Sequence, residues 1–525
     1  MTSFKVILGS SLFLVFFSNF SFFKNVTDVY EVSWQNVGFL ISLILFLTMI
    51  ILLLLRLISS RYTLKIIVIM LLLISAVTNY FMNTYHVIID DTMIQNMAET
   101  NVNESLDLLT FKFAMYILFF GIVPSVLIYK VKIIYGTWRE ELWITLKTLL
   151  FCIVVIAVLL FSFSKFYTSF FRENKSLRYH TNPTYVLYSV GKYIYDRVSS
   201  RSVSLKSIGL DAKQIPDTQR KLTIVVVGEA ARANRFSLNG YERPTNPLLQ
   251  KEDIINFSHV YSCGTSTAIS VPCMFSILER SNYSDKEAKS TENVIDILKR
   301  SGVNVLWRDN NSDSKGVALR VKYEDFRLPQ NNTMCDEECR DVGMLIGLQE
   351  YIDTQKGDVL IVLHQMGNHG PAYYKRYPKA FEKFTPTCKT NQVEQCTKEE
   401  IGNAYDNAIL YTDYFLTQTI AFLKTNDEKF KTALIYMADH GESLGEKGLY
   451  LHGIPYFIAP DEQTHVGALM WFGKRSKEAI DVEALRAKSS QNYSHDNLFH
   501  TILSVMGVET SVYDKTKDIL LYQKP

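Results

Sequence analysis

Net charge is what this sequence most clearly lacks. Fifty-five Lys and Arg stand against 53 Asp and Glu over 525 residues, leaving a formal +2. So small a balance gives no sign of a nucleic-acid partner, which would call for a basic surface. Cysteine is sparse too, at seven residues. No two Cys-x-x-Cys pairs occur, which argues against a zinc–thiolate centre. Six of the seven (Cys263, Cys273, Cys335, Cys339, Cys388 and Cys396) lie in the polar part of the chain; Cys152 sits in an apolar run. An even set clustered in one part reads as a disulfide framework, and therefore as an oxidising compartment. Sequence order suggests the pairs 263–273, 335–339 and 388–396, although other pairings remain open. The connection 86–110 has no Lys or Arg, yet carries Asp90, Asp91, Glu99, Glu104 and Asp107.

What is present divides sharply: residues 1–170 are apolar and the remainder is polar. Five runs, 4–23, 37–59, 64–85, 111–131 and 142–166, reach the roughly 20 residues needed to span a bilayer. No cleavage-like site follows the first run and further spans do, so it reads as retained, not as a removed signal peptide. The connections holding Arg56, Arg61 and Lys65, and Lys130, Lys132 and Arg139, are basic. By the positive-inside rule these are cytoplasmic. Five spans then put residues after 167 on the outer side, in agreement with the disulfide framework. In the outer connection, Asn96, Thr100 and Glu104 fall at i, i+4 and i+8, on one face of a helix. Such a polar stripe suits a cationic lipid headgroup; the rival reading is the solvated face of a short amphipathic helix. Between 168 and 220, Phe170, Phe171, Tyr185 and Tyr188 interleave with Arg172, Lys175, Arg178 and Lys192, as suits a segment at the membrane interface. Residues 200–220 read as a flexible linker.

From Leu222 onward short β-rich runs alternate with helical patterns, the mark of an α/β domain with a largely parallel sheet. Candidate strands are 222–227, 303–307, 358–363, 433–437 and 466–472. Polar residues crowd just after several of them: Gly228-Glu229, Arg308-Asp309-Asn310-Asn311, Gly367-Asn368-His369-Gly370 and Ala438-Asp439-His440-Gly441-Glu442. Open α/β sheets bind ligands beyond the carboxyl ends of their strands, so these four ends would make one site. Glu229, Asp439, His440 and Thr267 offer oxygen and nitrogen donors suited to tetrahedral zinc. A divalent ion lowers the pKa of a bound hydroxyl, which then attacks phosphorus. His369 and His452 would hold a second metal or steady a phosphate or leaving group. Lys315 would offset phosphoryl charge, with Ser312 as a hydrogen-bond donor. His364, His465, His495 and His500 read as hydrogen-bonded structural residues. The loop Ser262–Ser276 would hold Thr265, Ser266 and Thr267 still if Cys263 and Cys273 pair.

These motifs resemble one family over essentially the whole chain: the phosphoethanolamine transferases that modify lipid A, among them the mobile colistin-resistance enzymes, in the alkaline phosphatase and sulfatase superfamily. The resemblance rests on Val227–Ala233, Tyr241–Pro247, Ser262–Ser276, Trp307–Val317, His369–Pro371 and Ala438–Ser443. It implies a five-helix transmembrane domain over 1–167, an interfacial helix and linker over 168–220, and a periplasmic alkaline-phosphatase/sulfatase-like α/β domain over 221–525. It implies Thr267 as the nucleophile and Glu229, Thr267, Asp439 and His440 as ligands of a catalytic zinc, with a second zinc or the substrate near His369 and His452. It links Asn96, Thr100, Glu104, Ser312 and Lys315 to a phosphatidylethanolamine donor, and points to lipid A as acceptor, with the lipopolysaccharide core or a protein as the alternative acceptors within the family. The expected protein is a monomer of the bacterial inner membrane. Ala230 departs from the family, where many relatives have Thr, and the Cys335–Cys339 spacing is shorter than in some relatives.

Other readings compete with this one. One is a sulfatase or phosphodiesterase; a sulfatase needs Cys or Ser opening a C/S-x-P-x-R pattern, which is absent around Thr267. A phosphoglycerol transferase differs in its donor. A non-catalytic, membrane-tethered binding protein would show no zinc dependence.

Overall fold

The computed structural model describes residues 1–99, 108–172, 174–200 and 204–522. The chain divides into two compact units, Met1–Ile94 with Leu108–Tyr193, and Gln95–Asp107 with Ile194–Pro525.

The first unit is helical. Among the described residues, four helices are long and apolar enough to cross a membrane: α3 Val37–Ile58, α4 Leu64–Thr84, α5 Phe111–Lys130 and α6 Trp138–Ser162. The first expected span, 4–23, is not one straight helix. It is a pair, α1 Ser3–Ser18 and α2 Phe20–Val29, bent by 61°; counted as one, it makes the fifth span. The break has a polar cause. Asn19 at the bend donates from Nδ2 to the Leu14 carbonyl (2.9 Å) and the Asn182 carbonyl (2.7 Å), and accepts from the Asn182 amide (2.8 Å). Backbone groups freed by the break are thereby satisfied inside the protein, as an apolar surround requires. In α5 the turn Ile117–Ile122 is π-helical, just ahead of Pro124, which has no N–H for the regular ladder. Aromatic packing joins the unit internally: Phe39 stacks on Phe166 with ring centroids 4.8 Å apart and meets Tyr167 edge-on at 5.4 Å. At the other end of α3, buried Arg56 pairs with Glu141 (2.9 Å) and donates to Ser3 (3.1 Å), tying α1, α3 and α6.

The second unit is built on an eight-stranded sheet. In chain order its strands are β1 Arg220–Gly228, β2 Ile254–Tyr261, β3 Asn304–Asp309, β4 Lys322–Asp325, β5 Val359–His364, β6 Phe430–Ala438, β7 His465–Phe472 and β8 Tyr493–Ser494. Their order across the sheet is β8-β2-β7-β6-β1-β5-β3-β4. β6, β1, β5, β3 and β4 run parallel, and β7 runs antiparallel between β2 and β6. The central strands are continuous apolar runs buried on both faces; Leu222 to Gly228 are all buried. That pattern belongs to a parallel sheet covered by helices on both sides. All five strands expected from the sequence are present. The stretch read as a flexible linker is tied down where Lys213–Gln214 pairs with Val508–Glu509.

Register decides what the sheet presents. Gly228 pairs with Ala438, Val227 with His364, and His364 with Asp309. The four central strands therefore end at one level, and the polar residues after each end meet there. All three disulfides join the pairs suggested by sequence order, 263–273, 335–339 and 388–396; Cys152 is free and buried.

Candidate active site

Glu229 follows β1 and is fully buried. The residue before it has no room for a side chain: a Cβ on Gly228 would lie 2.5 Å from the Tyr436 hydroxyl. Glu229 Oε2 accepts from Asn311 Nδ2 (2.8 Å) and from the Thr267 hydroxyl (3.1 Å). Asp439 follows β6. Its Oδ1 accepts from the amides of Ala230 (3.1 Å) and His440 (2.7 Å). Ala230 makes that bond from a left-handed backbone, φ +51°, a conformation costly for a residue with a Cβ. The Tyr405 hydroxyl holds the peptide in place by donating to the Ala230 carbonyl (2.6 Å).

His440 sets the character of the cluster. Its Nδ1 lies 2.8 Å from the Gly441 carbonyl, which can only accept, so the proton sits on Nδ1 and Nε2 presents a lone pair. That lone pair lies 3.4 Å from Glu229 Oε1, 3.4 Å from Asp439 Oδ2 and 3.3 Å from the Thr267 oxygen. Burial lowers the pKa of His440, which favours the neutral ring. Asp439 Oδ2 is buried, and no group among the described residues donates a hydrogen bond to it. Two carboxylates and an imidazole lone pair thus face one another, with ligand atoms within 4.8 Å. Such a set repels itself unless a cation lies between, and it fits a divalent metal with nitrogen and oxygen ligands.

Thr267 opens the helix α7 Thr267–Phe275, directly after the N-cap Ser266. Its loop is held on three sides. The Cys263–Cys273 disulfide closes it, at a stabilisation of about 2–4 kcal/mol for a ring of this size. The Cys263 amide donates to His495 Nδ1 (3.0 Å), and His495 Nε2 donates to the Ala438 carbonyl (3.0 Å), so one ring ties the loop to the end of β6. On the far side the Thr265 hydroxyl donates to the Ile454 carbonyl (2.7 Å), and the Gly453 amide donates to the Thr265 carbonyl (2.8 Å). Burial pushes the His495 pKa down from 6.5 to about 4. As pH falls through that window the unfolded chain takes up a proton before the folded one does. The stabilisation is therefore complete above pH 6.5 and is lost on acidification towards pH 4. Unfolding midpoints between pH 7 and 4 are expected to fall accordingly, and His495→Gln is expected to flatten that slope.

A second cluster adjoins the first. His440, Glu442 and His452 bring ligand atoms within 4.8 Å of one another. Glu442 Oε2 lies 3.0 Å from His452 Nδ1, and Glu442 Oε1 accepts from the Tyr373 hydroxyl (3.1 Å). The His452 ring centroid lies 4.2 Å from that of His440 and 5.6 Å from that of His369. Burial, then the charges of His452 and Arg376, hold the His369 pKa well below the ordinary value. Ser312 and Lys315 come together on the turn after β3, where Lys315 Nζ donates to the Ser312 carbonyl (2.8 Å). That turn carries positive φ at Asp313, Lys315 and Gly316, and buried Asp309 organises it by accepting from the amides of Asn311 (2.9 Å) and Asp313 (3.2 Å).

The structure thus gathers Thr267, Glu229, Asp439 and His440 into one cluster, sets His452 and His369 beside it, and places Ser312 and Lys315 one turn beyond Asn311. Asn96 lies on the helix Asp91–Glu99; Thr100 and Glu104 lie outside the described residues. The four histidines read as structural all have partners: His364 on Asp309 (2.9 Å), His465 on the Ser258 carbonyl (2.7 Å), His500 on the Asp514 amide (3.0 Å), and His495 as above. Two residues of the site carried no role in the sequence reading. Glu442 stood at the end of the Asp-His-Gly-Glu run, where its spacing from His440 was the available signal. Asn311 is a neutral side chain whose importance lies wholly in what it donates to.

A sheet domain that collects carboxylates, imidazoles and a hydroxyl beyond its strand ends belongs to the alkaline phosphatase and sulfatase class, and residues 221–508 match the sulfatase family. Residues 47–198 match the family described as phosphoethanolamine transferase EptA/EptB. The chain is 43% identical over 533 residues to the phosphatidylethanolamine transferase Mcr-1 of Escherichia coli, covering 99% of this chain and 97% of that one. It is 41% identical to the phosphoethanolamine transferase EptA of Salmonella typhimurium, over 98% and 97% of the two chains. Its fold matches the integral membrane lipooligosaccharide phosphoethanolamine transferase A of Neisseria meningitidis with a TM-score of 0.94 at 34% identity, covering 98% of each. The chain belongs to the phosphoethanolamine transferase family and is a transferase, as its motifs implied.

Proposed function

We propose that the protein transfers phosphoethanolamine from phosphatidylethanolamine to a phosphate of lipid A, through a covalent intermediate on Thr267. The observation that carries this reading is the Thr267 hydroxyl, donating to Glu229 at 3.1 Å and lying 3.3 Å from His440 Nε2 inside a cluster of metal-type donors. The donor named for the Escherichia coli relative and the lipooligosaccharide named for the meningococcal one support the two substrates.

In the first half, Thr267 Oγ1 attacks the headgroup phosphorus. An O–P bond to threonine forms, the P–O bond to the glycerol carbon skeleton breaks, and diacylglycerol leaves as an alcohol after taking a proton. Glu229 accepts the threonine hydrogen bond and orients the oxygen. The proton that Thr267 Oγ1 gives up would pass by way of His452, oriented by Glu442, or His369 to the leaving oxygen. In the second half, a lipid A phosphate oxygen attacks the same phosphorus, the Thr267 O–P bond breaks, and the hydroxyl regains its proton. Lys315 and Ser312 offset charge on the phosphoryl oxygens, and Asn96, with Thr100 and Glu104, receives the donor. Glu229, Thr267, Asp439 and His440 would hold one zinc ion, and Glu442, His452 and His369 beside it would face a second zinc or the substrate. When bound, the metal would supply a lowered hydroxyl pKa and neutralise phosphoryl charge.

The basic connections, read as cytoplasmic, and the three disulfides support an inner-membrane protein with its α/β domain in the periplasm; that it acts as a monomer is part of the same proposal. Capping an acidic lipid A phosphate with a cationic amine weakens binding of cationic peptides, which gives polymyxin and colistin resistance. Mass spectrometry of lipid A from cells expressing the chain tests the reading. A gain of one phosphoethanolamine group is expected. Unmodified lipid A with a modified lipopolysaccharide core or protein would move the acceptor, and a phosphoglycerol adduct would move the donor.

A further inference from the structure

Asp341 belongs to none of the motifs singled out in the sequence, yet it is buried (3% exposed) behind the site. Its carboxylate accepts four hydrogen bonds. Oδ1 takes the Met366 amide (2.8 Å) and Asn310 Nδ2 (2.8 Å). Oδ2 takes the Gly367 amide (3.1 Å) and Gln365 Nε2 (3.3 Å). Two of these are successive backbone amides of the turn that leaves β5, and that turn delivers Asn368 and His369. A carboxylate gripping paired amides fixes the plane of the turn more firmly than a neutral acceptor can.

The same turn has no slack on its other faces. Gly367 adopts φ +49°, and a Cβ there would lie 2.9 Å from the Glu229 carbonyl. The Asn368 amide donates to that carbonyl (3.1 Å). Beyond His369, Arg376 Nε donates to the His369 carbonyl (2.7 Å), while its Nη1 pairs with Glu338. Glu338 lies inside the Cys335–Cys339 ring, whose Cys339 carbonyl accepts from Asn310 Nδ2 (2.8 Å). Buried Asn310 and Asp341, with the partly exposed disulfide ring, thus make one frame around the His369 turn.

We propose that Asp341 is a positioning residue for His369: its carboxylate holds the 365–367 turn so that the His369 ring stands beside His452 and the Thr267 cluster. This rests on the catalytic reading of His369 given above. The frame lies away from the reacting atoms, so its loss acts through placement of the ring; misplacement by about 1 Å costs on the order of a hundredfold.

The test is a double-mutant cycle on the full chain in mixed micelles of phosphatidylethanolamine and lipid A, with metal content and unfolding midpoint recorded for each variant. Asp341→Asn keeps the volume but cannot accept both amides. It is expected to lower kcat about ten- to a hundredfold, with KM for the donor and metal content near those of the parent chain. In the His369→Ala background, Asp341→Asn is expected to add no further loss, because both changes remove the same placement. A purely structural role would instead multiply the two losses, and that result would overturn the proposal while leaving the catalytic reading intact. Full activity of His369→Ala would overturn both. If Asp341→Asn does not fold, Asn310→Ser, which removes one donor to the carboxylate, enters the same cycle with the same two outcomes.

Discussion

Thr267→Ala is expected to abolish transfer, lowering turnover by at least about 10³-fold, because a missing nucleophile has no substitute in the site. The change should leave the architecture alone. Thr267 sits at the start of α7, where the Cys263–Cys273 ring, the His495 bridge and the hydrogen bonds to 453–454 fix the backbone without its side chain. Glu229, Asp439 and His440 remain, so metal content and unfolding midpoint should stay close to those of the parent chain. Thr267→Ser separates the oxygen from the methyl. Serine supplies the hydroxyl but loses the β-branch that restricts χ1, so partial activity, reduced by about tenfold, is the expected outcome. Equal loss in the alanine and serine variants would mean that the oxygen is not what matters.

Removal of the metal is expected to have the second largest effect, and in two separate readouts. Chelation should eliminate transfer, and added Zn²⁺ should restore it. It should also lower the unfolding midpoint of the soluble unit, because any ligand bound only by the folded state stabilises it. The physical reason lies in the cluster itself: Glu229 Oε1, Asp439 Oδ2 and the His440 Nε2 lone pair converge with no proton donor assigned to Asp439 Oδ2. Without a cation the buried carboxylates face each other across a few ångströms at low dielectric. Asp439→Asn removes one of those charges. Its unfolding midpoint should therefore respond less to chelation than that of the parent chain, even though activity is lost. A midpoint indifferent to chelator in both chains would remove the metal from the account.

Much of this was legible in the sequence, for reasons that can be named. The central strands are unbroken apolar runs that give way to polar residues (Gly228-Glu229 after β1, His364-Gln365 at the end of β5, Asp439-His440 after β6), so these strands and the residues after them stood out. The disulfide pairs followed chain order because each closes a local loop. What stayed hidden depends on partners far away in the sequence. β2, Ile254–Tyr261, is a mixed strand whose Asn256, Ser258 and Tyr261 are only partly buried and whose His259 is exposed, so its hydropathy does not announce it. The bend at Asn19 is invisible to apolar length, because it depends on Asn182 arriving to satisfy the broken ladder. Asn311 stood in a polar run after a strand, but its bond to Glu229 is not readable there. Asp341 contacts the β5 turn through hydrogen bonds that nothing in its local sequence marks.

The most direct test incubates the full chain with phosphatidylethanolamine in the absence of acceptor, then maps the peptide spanning 262–276 by mass spectrometry. A phosphoethanolamine group on Thr267, discharged when lipid A is added, is the result expected here. Transfer that proceeds with Thr267 unmodified, or an adduct on another residue, would contradict it.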